Sequence, residues 1–112
     1  MVKLTELTSK KVRGSTTRRP IMLLFDVLGQ RWTLRILWEL HSKRQTFREL
    51  RSNCEDVSPT ILNKRLKYLR ELQFIDHNEQ GYGYTTIGQE LGAKLIELDS
   101  WANDWAGPSE TS

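Results

Sequence analysis

Thr46-Phe47-Arg48-Glu49-Leu50-Arg51-Ser52-Asn53-Cys54-Glu55-Asp56-Val57-Ser58-Pro59-Thr60-Ile61-Leu62-Asn63-Lys64-Arg65-Leu66-Lys67 holds two helix-start signals in close succession. Thr46 followed by Glu49 is a capping box: the Thr hydroxyl takes a backbone N–H near residue 49, and the Glu returns to the backbone of Thr46. A short helix of about six residues should follow, burying Phe47 and Leu50. Asn53-Cys54-Glu55-Asp56 breaks it. Ser58-Pro59 is the second start, with Ser as cap and Pro at the first helical position. The helix from Pro59 to about Leu72 carries Leu62, Leu66 and Leu69 at spacings of four and three. Two helices joined in this way form a helix-turn-helix, whose second member lies in the major groove of DNA.

The second helix can be read on a wheel of 100° per residue. With Leu62 at 0°, Leu66 and Leu69 fall within about 40° of it and form the core face. Thr60, Asn63, Lys64 and Lys67 fall at about 160°, 100°, −160° and 140°, on the outward face. That face carries lysines, an amide and a hydroxyl, and meets no acid until Glu71. Lysine suits guanine edges or phosphate, and Asn63 can pair with adenine in bidentate fashion. Arg65 lies near −60°, at the edge of the core face, where it can reach a phosphate or pair with Glu49.

Toward the N-terminus, Arg19-Pro20 opens a helix with the apolar stripe Ile21, Leu24, Phe25 and Leu28, and Gly29 is a left-handed stop after it. A second helix runs from about Trp32 to His41, with Leu34, Leu37 and Trp38 as its apolar face and Ile36 and Leu40 broadening it. Ser42-Lys43-Arg44-Gln45 is a polar connection. Toward the C-terminus, Phe74 to Asn78 has strand character, Glu79-Gln80-Gly81 turns, and Tyr82-Gly83-Tyr84 alternates aromatic with small. These make a short hairpin. Thr86-Ile87-Gly88-Gln89 reads as a further capping box, with Thr85 as rival cap. The last helix runs from about Ile87 to Trp105 and stops at Gly107-Pro108. Its stripe is Leu91, Leu95, Leu98, Ala102 and Trp105, broadened by Trp101, while Gly88 and Gly92 let another backbone approach. A helix of this length outruns a small domain, so the stripe is expected to form a two-fold dimer interface with the first helix.

The chain has 112 residues and carries a formal charge of +3. That total hides a division. Residues 1–30 hold six Lys/Arg against two acids, residues 31–70 ten against four, and residues 71–112 one against eight, giving +4, +6 and −7. The basic part is expected to meet a polyanion and the acidic part to face away from it. Residues 1–19 are expected to be a mobile basic arm that can track a phosphate backbone, residues 20–106 the folded domain, and residues 107–112 a disordered tail. The opening MVKLTELTSKKVRG lacks an apolar core, so no secretory signal is expected, and no run approaches a membrane span. The single cysteine excludes an intrachain disulfide, and with two histidines it is too little for the usual structural zinc site. No cofactor and no metal are expected.

Phe25-Asp26-Val27-Leu28-Gly29-Gln30-Arg31-Trp32-Thr33-Leu34-Arg35-Ile36-Leu37 resembles the opening of the HxlR-type winged-helix regulators. Phe47-Arg48-Glu49-Leu50 and Val57 to Leu66 match that family's helix-turn-helix in order and spacing, and Tyr82 to Gly88 resembles its second wing strand running into the last helix. The likeness covers about residues 20–105, with Gly29, Trp32, Ser58-Pro59 and Arg65-Leu66 as its most specific points. It implies a mainly α winged helix-turn-helix with a short two-stranded wing and a long dimerisation helix. It also implies a prokaryotic, cytoplasmic, homodimeric transcription regulator in the style of MarR-type proteins, bound to double-stranded operator DNA that is pseudo-palindromic. Candidate DNA contacts are Ser58, Thr60, Asn63, Lys64, Arg65 and Lys67, with Arg44 and Thr46 ahead of them, Gln80 in the wing, and Arg18 and Arg19 in the arm. Candidate dimer residues are Leu91, Leu95, Leu98, Trp101 and Trp105.

Two departures stand out. Many members of that family carry a cysteine just before the first helix, used in some as a redox or electrophile sensor; here Arg18-Arg19-Pro20 takes that place. Cys54 sits in the turn before the recognition helix, followed by acids that raise a thiol pKa, and is expected to be inert. The wing has no arginine; only His77, Asn78 and Gln80 can reach a minor groove, so wing contacts should be weak and the arm should compensate. An enzyme is not expected: there is no Ser/His/Asp pattern, no glycine-rich phosphate loop and no paired carboxylates, and His41 and His77 lack partners at ligand spacing. The alternative function is a winged helix that binds protein within a larger assembly. Such a module would expose apolar residues on its recognition face instead of lysines.

Overall fold

The computed structural model describes residues 19–107. Most of the expected arm, including Arg18, and the tail beyond Gly107 lie outside them. Among the described residues, five helices and one hairpin follow in the order α1 (Pro20–Leu28), α2 (Thr33–Leu40), α3 (Phe47–Asn53), α4 (Pro59–Glu71), β1 (Ile75–Asn78), β2 (Gly81–Tyr84) and α5 (Thr86–Ala106). The expected mainly α winged helix-turn-helix is the observed fold.

The helix starts are where the local chemistry puts them. Glu49 N–H donates to Thr46 Oγ1 at 3.1 Å and Thr46 N–H to Glu49 Oε1 at 2.9 Å, completing the capping box of α3. The backbone bond from Thr46 holds the Glu49 carboxyl below its ordinary range. Ser58 caps α4, with Pro59 in its first turn. Between them Glu55 and Asp56 are both left-handed, with φ of 59° and 58°. Two such residues in a row let the chain reverse within the motif, and two bonds hold the reversal. Asp56 N–H donates to the Arg51 carbonyl at 2.8 Å, and Arg51 Nε–H donates to the Val57 carbonyl at 2.8 Å.

The core gathers Val27, Ile36, Leu37, Leu40, Leu50, Val57, Leu62, Leu66, Leu69 and Ile75. Removing such apolar surface from water contributes about 25 cal/mol per Å². These side chains join α1, α2, α3, α4 and β1 in one cluster, against which Tyr82 and Tyr84 of β2 and Leu91 and Leu95 of α5 pack. Three expectations about the first two helices need correcting. In α1, Leu23 and Val27 are the buried residues, while Ile21 and Phe25 are exposed. In α2, the inner residues are Thr33, Ile36, Leu37 and Leu40; Leu34 is exposed and Trp38 half-buried. α1 is apolar nearly all round, and α2 has a broad apolar arc opposite its Arg35–Glu39 stripe, so more than one stripe fits the helical period and tertiary packing selects among them. Gly29 is not left-handed; its φ is −79°. The left-handed residue of that turn is Trp32, at φ 76°, which stands at the N-cap of α2.

The hairpin pairs Ile75 with Tyr84, Asp76 with Gly83, His77 with Tyr82 and Asn78 with Gly81. A bridge between Gln45 and Tyr82 fastens it to the loop before α3. Gly81 has φ 107°, and a Cβ there would strike the Gln45 carbonyl, so this bridge needs glycine. At the start of α5 the rival cap is the actual one: the Thr85 hydroxyl accepts from Gly88 N–H at 3.1 Å. The expected close approach at Gly88 is to the Phe74 carbonyl, whereas Gly92 lies under the Tyr84 ring. The Tyr84 hydroxyl donates to the Leu37 carbonyl, and burial pushes its pKa up to about 12.

Candidate nucleic-acid interface

α4 buries Leu62, Leu66 and Leu69, and that burial sets the helix's rotation. Thr60, Asn63, Lys64 and Lys67 are then all exposed on its outward side, and Ser58 and Pro59 are exposed at its start. No ion pair among the described residues uses Lys64 or Lys67. Their charges stand in solvent beside the Asn63 amide, an arrangement suited to a polyanion whose edges carry hydrogen-bond acceptors.

Arg65 behaves differently. It is half-buried, and its Nε–H donates to the Arg31 carbonyl at 2.7 Å; it forms no ion pair with Glu49. That bond ties α4 to the turn between α1 and α2. The Arg31 guanidinium in turn lies 6.0 Å from the Trp32 ring centroid. Thr46 is occupied as a helix cap. Arg44 is occupied as a wing staple: its guanidinium donates to Asp76 Oδ1 at 2.6 Å and to the Gly81 carbonyl at 2.8 Å. Gln80 is exposed at the hairpin tip, where its N–H donates to Asn78 Oδ1. Arg19 stands at the N-cap of α1. The structure thus groups Thr60, Asn63, Lys64 and Lys67 on one surface and gives Arg44, Thr46 and Arg65 internal partners.

Sequence reasoning missed the polar frame behind this surface. Gln45 is buried; its amide nitrogen donates to the Glu39 carbonyl at 2.6 Å and its oxygen accepts from Asn53 at 2.8 Å. Arg35 bonds Glu39 at 2.9 Å and the Asn53 carbonyl at 2.6 Å. These bonds lock α3 against α2, and through α3 the angle at which α4 is presented. A Gln amid polar neighbours carries no periodic signal, so only the packed structure reveals it.

The other surface belongs to α5. Leu91 and Leu95 are half-buried against the core. Leu98, Trp101 and Trp105 are 59%, 61% and 75% exposed, and the two indole rings stack at 6.1 Å. Leu34, Trp38, Leu95 and Leu98 line a shallow apolar groove beside them. Cys54 is fully buried, and burial pushes its thiol pKa up. Among the described residues no His, Cys, Asp or Glu cluster converges to hold a metal, and no helix is long and apolar enough to cross a membrane.

The family model for the HxlR-like helix-turn-helix matches residues 27–110. The uncharacterized HTH-type transcriptional regulator YvaP of Bacillus subtilis is 30% identical over 92 residues, which are 75% of this chain and 84% of the relative. The HTH-type transcriptional regulator YodB of the same organism is 26% identical over 105 residues, covering 88% and 94% of the two chains. The solved structure of quinone-bound YodB is similar at a TM-score of 0.67 and 28% identity, over 73% of this chain and 93% of that one. A possible HxlR family transcriptional factor from Thermoplasma volcanium is similar at a TM-score of 0.66 and 27% identity, over 75% and 82%.

Proposed function

The chain belongs to the HxlR-like helix-turn-helix family, and from that premise we propose that it works as a homodimer that sets α4 of each protomer into the DNA major groove. The family consists of DNA-binding transcription regulators, not enzymes, and this chain is one of them. The observation that carries the finer reading is the outward face of α4, where Thr60, Asn63, Lys64 and Lys67 are exposed together. Asn63 and Lys64 read base edges, Lys67 and the Ser58–Thr60 start of the helix meet phosphate, and Arg65 holds the helix in place from behind. The basic arm, Arg18 and Arg19 included, adds sequence-independent phosphate contacts, and Gln80 marks the wing's reach. Leu91, Leu95, Leu98, Trp101 and Trp105 join two protomers. Two recognition helices related by a two-fold axis fit a pseudo-palindromic operator with half-sites about 34–36 Å apart.

YodB is described in quinone-bound, reduced and diamide-treated forms. Thiol sensing does not carry over to Cys54, which is sealed inside the core. The test is binding to a DNA site selected from a random pool, compared with unselected DNA at two salt concentrations. A specific complex with a two-fold symmetric site is expected. Equal affinity for selected and random DNA would refute base reading by α4.

A further inference from the structure

A cleft of about 400 Å³ lies on the flank of α4, where the turn between α1 and α2 meets Arg65. Gln30, Arg31 and Arg65 line it together with Asp26 and Gly29. Arg31 is exposed and Arg65 half-buried. Neither guanidinium enters an ion pair among the described residues. Asp26 is the one carboxylate of the lining, and its Oδ2 is buried. Two guanidinia outnumber it, so the cleft suits an anion.

Both guanidinia are held in advance. The Arg65 Nε–H donates to the Arg31 carbonyl at 2.7 Å, which leaves its Nη groups for another acceptor. The Arg31 guanidinium lies 6.0 Å from the Trp32 ring centroid, and Trp32 shapes the turn with its left-handed φ of 76°. The place of the cleft beside α4 decides which anion it meets. On a wheel with Leu62 at 0°, Arg65 lies at about −60° and Lys64 at about −160°, so the cleft flanks the outward face on its Lys64 side. A helix is about 10–12 Å across and the major groove about 12 Å wide. A helix seated there turns its outward face to the bases and brings its flanks against the phosphates of the strands.

We propose that this cleft seats one backbone phosphate of the bound DNA, with Arg31 as its main donor and Arg65 and Gln30 beside it. The inference rests on the reading that α4 enters the major groove. It brings the α1–α2 turn into the interface and gives Arg65 a second task besides holding α4. The contact carries affinity and salt dependence, not sequence choice.

Wild type, Arg31→Gln, Gln30→Glu and Asn63→Ala are titrated onto a selected site and onto random DNA across a salt series. Arg31→Gln should weaken both DNAs by the same factor, about tenfold at low salt, and lower the salt slope by about one per protomer. Its urea midpoint should match the wild type, because the Arg31 carbonyl, not its side chain, holds Arg65. Gln30→Glu places a carboxylate at the same seat and should also weaken both DNAs, whether or not Arg31→Gln folds. Methylphosphonate substitution, one phosphate at a time across the selected site, then locates the contact. One phosphate per half-site should weaken wild type when neutralised and leave Arg31→Gln unaffected, which a purely structural role for Arg31 would not produce. The proposal fails if Arg31→Gln or Gln30→Glu leaves affinity and salt slope unchanged, if either changes which sequence is preferred, or if Arg31→Gln responds to every methylphosphonate as wild type does. Asn63→Ala separates this from the reading beneath it. A loss of sequence preference in Asn63→Ala with an unaffected Arg31→Gln removes the seat alone, whereas a wild type that binds selected and random DNA alike removes the reading of α4.

Discussion

α4 and α5 both bury one side and turn the other outward, and they differ in what they turn outward. α4 presents Thr60, Asn63, Lys64 and Lys67, groups that water solvates at no cost. α5 presents Leu98, Trp101 and Trp105, each more than half exposed, in a stretch whose charged residues are almost all acidic. The first surface is stable alone and gains a partner through charge. The second is unsatisfied alone, since apolar area of this size held in water favours association. On the proposed reading, one small domain separates its two contacts by chemistry: a cationic polar face for a polyanion, and an apolar, acid-flanked helix for another copy of itself.

The sharpest way to break this comparison uses the same residue type on both helices. Leu66→Ala, in the core, should lower folding stability by about 2–5 kcal/mol in urea unfolding. The same truncation at Leu98 should instead weaken self-association and make the unfolding midpoint depend more strongly on protein concentration. If Leu98→Ala costs as much as Leu66→Ala in a dilute monomer, α5 packs on its own domain and the contrast disappears. Trp105→Asp is next. Wild-type protein at micromolar concentration should sediment at about twice 13.1 kDa, and the variant at 13.1 kDa. A loss of about 2–4 kcal/mol of association energy is the scale expected for a central tryptophan.

How far the chain could be read without its structure divides along the same line. Signals made by neighbours in sequence were legible: the Thr46–Glu49 box, Ser58-Pro59, and the Leu62, Leu66, Leu69 face, which is unambiguous because polar residues surround it. The outward face of α4 followed from that rotation. Signals that depend on packing were not legible. α1 is apolar almost all round and α2 has a broad apolar arc beside its Arg35–Glu39 stripe, so the helical period alone places Ile21, Phe25 and Leu34 inward, whereas all three are exposed. The left-handed turn sits at Trp32, a residue with no intrinsic preference for it, instead of at Gly29. From sequence Arg44 is a candidate DNA contact and Arg65 a phosphate contact or a Glu49 partner, yet each bonds a group more than thirty positions away in the chain. Gln45 gave no sign of being buried.

A smaller effect probes the base of the wing, between the two helices. Tyr84 is neutral in the folded state up to a pKa of about 12, against an unfolded value of 10.0. An acid with a raised folded pKa binds its proton longer in the native state, so stability falls as pH rises from 10.0 toward about 12. Burial also raises the Tyr68 phenol, so ultraviolet titration should show Tyr84 as the last tyrosine to ionise, and Tyr84→Phe should remove that last step. The smallest effect is at the cap. Thr46→Ala should cost about 1 kcal/mol of stability. Part of that cost should disappear in acid, because Glu49, whose folded pKa is lowered, contributes only above its ordinary range and loses its contribution as pH falls.

The central claim is that α4 reads sequence while the arm supplies charge. It is tested most directly by comparing Asn63→Ala with a chain lacking residues 1–19, each on a selected site and on random DNA across a salt series. Asn63→Ala should lose about 1–3 kcal/mol on the selected site and little on random DNA. Removing the arm should weaken both DNAs alike and flatten the salt slope, because fewer counterions are released. Equal weakening of both DNAs by Asn63→Ala, or a changed sequence preference on removing the arm, would contradict the account.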